Sequence, residues 1–187
     1  MVFGDGISWD FHVDQVLEEK EPIFKTDPDS LILKNIKQYA KGNRLLDCGC
    51  HVGRWSNFFI DAGFDYTGVD QSLKALEAAK KLNTRAKYVN SFLWDYKTDI
   101  KYDVLVFCAV LQHNQHEEKD RILANLSNIV NKDAILFFTE STMTTQTATQ
   151  YTYNGWIDFA KKHGFEFIKS WHKNEFGLQD HYLFIKR

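Results

Sequence analysis

Leu45-Leu46-Asp47-Cys48-Gly49-Cys50-His51-Val52-Gly53-Arg54-Trp55 joins an apolar run to a segment of helical period through a turn holding two glycines. So short an apolar run reads as a buried strand, and glycines where the helix begins let a ligand approach the backbone. In a doubly wound sheet the first strand-to-helix turn borders the crevice where ligands bind. The location suits a nucleotide-like cofactor. Spacing narrows the choice: the dinucleotide fingerprint needs Gly-x-Gly-x-x-Gly, whereas Gly49 is followed by His51 and Gly53, with Arg54 next.

Outward from this run, short stretches rich in Val, Ile, Leu and Phe alternate with segments of helical period, the pattern of a parallel sheet with helices on its faces. The pattern predicts strands at Arg44–Cys48, Tyr66–Asp70, Ala86–Val89, Asp103–Cys108, Ala134–Thr139, Phe165–Trp171 and His181–Lys186. Helices are expected at Trp55–Ala62, Ser72–Leu82, Lys119–Val130 and Trp156–His163. Ser72 is a fitting N-cap, and Gly63 and Gly164 fit left-handed C-caps. Between the last two strands only Lys173–Asp180 intervenes, too little for a helical crossover, so they are expected to pair antiparallel at the sheet edge. The expected fold is α/β: a seven-stranded, mostly parallel, Rossmann-like sheet with helices on both faces and an antiparallel edge strand.

The chain reads as a single domain. Residues 1–43 carry both prolines, Pro22 and Pro28, and a helical stretch from about Asp29 to Lys41; they are expected to form a cap or lid over the sheet's carboxyl edge. Residues 44–140 form the cofactor-binding core. In residues 141–187, the stretch Ser141–Tyr153, dominated by Thr and Gln, reads as a polar loop before the final helix and strands.

At 187 residues, 44% hydrophobic and 26% charged, the chain is large and apolar enough for one buried core. A net charge of -2 gives no global attraction to nucleic acid, and no local basic run supplies one. Three cysteines form no disulfide framework and fit a reducing compartment. No leader-like or membrane-spanning run stands out, so a soluble cytoplasmic protein is expected.

The run from Asp47 resembles the first motif of the class I S-adenosylmethionine (SAM)-dependent methyltransferases, an acid followed by Gly-x-Gly-x-Gly. Asp47, Gly49 and Gly53 match, and His51 stands at the middle glycine, which in that family lies closest to the cofactor's methionine part. The resemblance implies that this turn, with Cys50, borders the methionine part; His51 either points away or donates to its carboxylate. Tyr66-Thr67-Gly68-Val69-Asp70-Gln71-Ser72 is similar to the second motif, which puts Asp70 on the ribose hydroxyls and Gln71 against adenine. Asn90-Ser91-Phe92 falls at the adenine-reading position, with Asn90 where Asp is common. Tyr102 to His113 resembles the fourth strand and the turn after it, so Cys108 borders both cofactor and acceptor. The resemblance covers residues 44–139 and implies SAM as cofactor, S-adenosylhomocysteine as product and no metal; the Val110-Leu111-Gln112-His113 turn and the Thr-rich loop at Ser141–Tyr153 resemble those of members that act on a small-molecule substrate.

The sulfonium of SAM is already an activated donor, so positioning and exclusion of water are the protein's main tasks. For a hydroxyl acceptor, such as a sugar or another polar metabolite, a base would help: His113 is the first candidate and Glu140 the next. Plainer readings stand beside these. Asp70 could simply cap the helix after it; Cys48 and Cys50 lack a second pair at zinc spacing; His113 and His116 could be ordinary loop histidines; and Trp55, Phe58 and Phe59 have the spacing of helix core. Two other functions compete. One is a nucleic-acid methyltransferase, although the Asn/Asp-Pro-Pro-Tyr and Pro-Cys motifs are absent; the other is a SAM-binding sensor without catalysis.

Overall fold

The computed structural model describes Val13 and residues 30–143, 147–172 and 179–187. Helix α1 (Ser30–Tyr39) leads into β1 (Arg44–Cys48), α2 (Ser56–Asp61), β2 (Asp65–Asp70), α3 (Leu73–Leu82), β3 (Lys87–Asn90) and β4 (Tyr102–Cys108). A 3-10 turn at Leu111–His113 then precedes α4 (His116–Leu126), β5 (Val130–Ser141), α5 (Tyr153–Lys162), β6 (Phe165–His172) and β7 (Gln179–Lys186). The seven strands form one sheet in the order β3-β2-β1-β4-β5-β7-β6. Neighbours from β3 to β5 pair in parallel, while β7 runs antiparallel to both β5 and β6. The antiparallel pair expected at the edge is therefore present, with β6 outermost and the reversed strand β7 one place in.

Strand sequences are apolar at consecutive positions because both faces are covered. Leu45, Val104, Val106, Ile135, Phe137 and Leu183 face α1 and α2 through Ile32, Ile36 and Phe59. Their neighbours Leu46, Leu105, Phe107, Leu136, Phe138 and Phe184 face α4 and α5 through Ile122, Leu126, Trp156 and Phe159. Full burial of each such side chain is worth about 1.5–3 kcal/mol. Of the cap expected over residues 1–43, the described part, α1, packs on a face of the sheet; residues 1–29, Val13 excepted, lie outside the described residues.

Several boundaries move for local reasons. Helix α4 starts at His116, a turn before the expected Lys119, where Glu118 accepts the backbone N–H of Gln115 at 2.8 Å, as in a capping box. It stops at Leu126, and the residues expected to continue it lead into β5 instead. Strand β5 starts at Val130 because Val130 pairs with Tyr102 before a register shift; Asp133 lies in that irregular stretch with φ 63°. Helix α5 begins at Tyr153 because Thr152 caps it, accepting from the Gly155 N–H at 3.1 Å, which takes Tyr153 out of the expected polar loop. Ser72 caps α3 by accepting from Ala75, and Gly63 and Gly164 take left-handed φ of 91° and 79°.

Candidate functional site

The parallel register brings the carboxyl ends of β1, β2 and β4 together: Cys48 lies beside Val69 on one side and Phe107 on the other. The turn after β1 is pinned by the N–H groups of Gly49 and Cys50, which both donate to the Val69 carbonyl, at 2.8 and 3.1 Å. Gly49 and Gly53 have φ of 77° and 70°, a region that disfavours side chains. Space excludes a side chain too, since a Cβ on Gly49 would lie 2.8 Å from a Val110 methyl and one on Gly53 would lie 2.3 Å from the Tyr88 hydroxyl. His51 has φ 49°, so it takes the left-handed path that a glycine there would take freely, and the departure from the family's glycine pattern leaves the turn's course intact.

Asp70 closes β2 beside this turn. Its Oδ2 accepts the His51 N–H at 2.9 Å and its Oδ1 accepts the Ser72 N–H at 2.8 Å. A carboxylate offers about four acceptor positions, so two remain for neighbouring hydroxyls of a ribose. Burial raises its pKa, against the pull of the Ser72 and His51 N–H groups. The capping role and a binding role are thus compatible.

Asn90 donates its Nδ2 to the carbonyls of Asp70 and Gln71, at 3.1 and 2.9 Å, which leaves its side-chain oxygen to accept from an exocyclic amine. Ser91 donates its N–H to the Asp70 carbonyl at 3.0 Å and its hydroxyl to the Phe92 carbonyl at 3.0 Å. Phe92 stacks on Trp94 with centroids 4.8 Å apart and planes 15° from parallel, a flat aromatic pair at this end of the crevice. Gln71, Asn90, Ser91 and Phe92 therefore bound one end, and Gly49 to Gly53 the other, with Asp70 between. These residues fit an adenosyl group carrying an amino-acid tail.

Asp47 is 4% exposed and accepts the Tyr66 hydroxyl at 2.6 Å. Burial lifts its pKa to about 6, with the Tyr66 bond and the Arg54 charge pulling it back. The two thiols flanking Gly49, Cys48 and Cys50, are buried and pushed well above the ordinary range by that burial. At the end of β4, Cys108 lies 3.0 Å from Nη2 of Arg54. Arg54 follows the glycine turn directly, so its place in the motif could have marked it as a crevice cation.

Glu140, the second candidate base, sits elsewhere in the chemistry. It is fully buried, its Oε1 accepts the Val110 and Leu111 N–H groups at 3.1 and 2.9 Å, and its Oε2 accepts that of Gln112 at 3.0 Å. Burial raises its pKa to about 7 against those three bonds and the Lys119 charge. It is a positioning residue for the turn that presents His113. Lys119, also fully buried, donates to the Asn114 and Thr149 carbonyls at 2.6 Å each and so ties that turn to the Thr-rich loop. Helical spacing alone would have placed Lys119 on a solvated face.

His113 itself lies on the 3-10 turn, half-buried, with Nε2 3.2 Å from Nε2 of Gln112. Ser141 donates its N–H to Oε1 of Gln112 at 2.7 Å, which fixes the amide's orientation and makes its nitrogen the donor toward His113. The His113 Nε2 therefore carries a lone pair, as a base requires. The ring of His116 lies 4.3 Å from that of Tyr151, and its Nε2 lies 2.7 Å from the Thr147 carbonyl, which sets this histidine against the Thr-rich loop.

Comparison with known proteins bears on the family and the fold. A family model described as a methyltransferase domain matches residues 24–176. An uncharacterized methyltransferase of Bacillus cytotoxicus is 27% identical over 135 residues, covering 72% of this chain and 61% of the relative's own length. Among solved structures, a TehB-like SAM-dependent methyltransferase from Corynebacterium glutamicum superposes with a TM-score of 0.72 at 16% identity, covering 96% of both chains. The 1,6-didemethyltoxoflavin-N1-methyltransferase of Burkholderia thailandensis, solved with its substrate and S-adenosylhomocysteine, gives 0.74 at 14% identity, covering 94% of this chain and 85% of that one. Magnesium protoporphyrin IX methyltransferase from Synechocystis with bound SAM gives 0.69 at 18% identity, covering 95% and 79%.

Proposed function

The chain belongs to the Rossmann-like SAM-dependent methyltransferases, and from that premise we propose that it moves a methyl group from SAM to a hydroxyl of a small polar molecule in the cytoplasm. The observation that carries the reading is Asp70, a carboxylate at the end of β2 whose two oxygens each take one backbone N–H and keep room for two hydroxyls. Asp70 would hold the ribose, Asn90 and Gln71 the adenine edge, with Phe92 against its face. The turn Gly49 to Gly53 would run along the methionine part, and Asp47, bonded to Tyr66, would hold the strand end beneath it.

When bound, SAM supplies a methyl group on a positively charged sulfur that leaves as the neutral thioether S-adenosylhomocysteine. The chain's own residues position the acceptor, exclude water and receive the acceptor's proton. His113 would take that proton at Nε2, the atom now facing the Gln112 amide, once the acceptor hydroxyl replaces that amide as donor. Glu140 holds the turn in place through three backbone N–H groups. A net charge of -2 favours a small molecule over nucleic acid as the acceptor.

Calorimetric titration with SAM, followed by a screen of metabolite fractions for S-adenosylhomocysteine formation, tests the reading. Binding with turnover on a small-molecule fraction is expected. Binding without turnover on any fraction would favour a SAM-binding sensor instead, and no binding at all would remove the cofactor assignment.

A further inference from the structure

The segment from Ala109 to Asn114, which carries His113, is gripped from two sides. Ala109 enters it with φ 54°, a left-handed path that strains an alanine and needs its neighbours to hold it. Glu140 supplies one grip by accepting the N–H groups of Val110, Leu111 and Gln112. Lys119 supplies the other, since its Nζ donates to the Asn114 carbonyl at 2.6 Å. Asn114 closes the segment on itself, its Nδ2 donating to the Val110 carbonyl at 2.8 Å. His113 thus stands between a carboxyl group that holds the segment's donors and an ammonium that holds its last carbonyl.

The same Nζ donates to the Thr149 carbonyl, also at 2.6 Å, and so reaches a second segment 30 residues further along the chain. Within residues 147–152 the Thr147 N–H donates to the Gln150 carbonyl and the Gln150 N–H to the Thr147 hydroxyl, both at 3.0 Å. The first turn of α4 holds this strap at further points: His116 Nε2 donates to the Thr147 carbonyl at 2.7 Å, and the His116 ring lies 4.3 Å from that of Tyr151. Both polar grips fall on main-chain carbonyls.

Lys119 is completely buried, with its ammonium 5.2 Å from the centre of the Tyr151 ring and 5.8 Å from that of Trp156. Burial lowers its pKa to about 8 against the pull of Glu140, Glu118, Glu117 and Asp120, so the ammonium form stands at pH 7. A methionine would fill these aromatic surroundings without taking a charge out of water, so packing alone does not account for a lysine here. What a lysine adds is three donors on one atom, two of which serve carbonyls of different segments.

We propose that Lys119 is a positioning residue that couples the strap at 147–152 to the turn carrying His113, so that docking of the strap and alignment of the imidazole for the acceptor are one event. It acts through the backbone at Asn114 and Thr149. The inference rests on the methyl-transfer reading, in which His113 receives the acceptor's proton, and adds what sets that histidine.

Imidazole NMR signals and amide hydrogen exchange of the full chain, each with S-adenosylhomocysteine added, provide the test. Lys119→Met keeps the side chain's length and removes its donors. It is expected to move the His113 ring signal and to speed exchange by about tenfold or more both at Leu111 to Asn114 and at Thr147 and Gln150. His163, whose Nε2 lies 2.9 Å from Oδ1 of Asp120, the next residue on α4, reports on the helix itself and should keep its signal. S-adenosylhomocysteine should bind the variant within twofold of the parent. In the unaltered chain, exchange at low denaturant should give the two segments one common opening, easier than global unfolding, which tests the coupling even if the variant fails to fold. An unmoved His113 signal, faster exchange in one segment alone, a shift of His163 alongside His113, or separate openings in the unaltered chain would overturn the coupling. If the two segments respond together but S-adenosylhomocysteine does not bind the unaltered chain, the coupling stands and the cofactor reading falls; if it binds and the segments open apart, the coupling alone falls.

Discussion

Oδ2 of Asp70 lies 2.9 Å from the backbone nitrogen of His51, so the acid that closes β2 also holds the turn after β1. One carboxylate thereby couples the two motifs of the crevice. Asp70→Ala removes both its backbone bonds and any bond to a ribose. With charge-assisted bonds at about 1.5–3 kcal/mol each, SAM and S-adenosylhomocysteine affinities should fall together by roughly 100-fold or more. Calorimetry measures this, and an unaltered titration would mean the ribose lies elsewhere.

The left-handed conformation of His51, φ 49°, is one that a glycine adopts without strain. His51→Gly is expected to raise stability by about 1 kcal/mol or less, the relief of the backbone being partly offset by glycine's freedom in the unfolded chain. Since the turn's path is unchanged, S-adenosylhomocysteine should bind within a few-fold of the parent. Denaturant unfolding and calorimetry check the two halves; a tenfold loss of affinity would assign the imidazole a direct bond to the ligand.

Burial of Glu140 raises its pKa from an ordinary 4.5 to about 7. Between those values the folded chain binds more protons at this site than the unfolded chain, so stability should decline as pH rises through the window. The contribution amounts to about 3 kcal/mol and is fully lost above the folded value. Asp47, raised to about 6, adds a decline of the same sign between its own unfolded and folded values. Glu140→Gln should flatten the upper part of the profile, from about pH 6 to 7.5, even if its overall stability is lower. Unfolding midpoints across pH 4 to 8 would show it, and an unchanged slope in the variant would exclude Glu140 as the source.

His113 faces Gln112 through a lone pair that the Ser141–Gln112 bond helps to fix. His113→Ala is expected to lower turnover on a hydroxyl acceptor by about 100-fold or more, with cofactor affinity nearly unchanged. Steady-state kinetics paired with calorimetry separates the two effects, and an unaffected rate would take His113 out of the chemistry.

The order of strands and helices was legible because each leaves a local record. The run Val104–Cys108 and the pair Leu45–Leu46 are apolar at consecutive positions, as strands covered on both faces must be, while Ser72 marks a helix start through its side-chain oxygen and Gly63 and Gly164 mark helix ends through left-handed backbone. Boundaries slipped where a side chain outside the periodic pattern decided them. Glu118 starts α4 early by bonding the N–H of Gln115, and Thr152 does the same for α5. The crevice motifs were readable for the same local reason, since residues 47–53 and 66–72 each lie in one strand and the turn after it.

Residue order by itself determined the sheet class, the position of the glycine turn after β1 and the acid at the end of β2, since these depend on periodicity and on spacing within a few residues. Only the tertiary structure decided that Glu140 bonds a turn 28 to 30 residues away, that Lys119 is drawn inside to join two loops, and that Thr139 and Trp171 line up with Cys108. Such pairings are set by strand register and by the need to match buried polar groups, and both arise between segments distant in the chain.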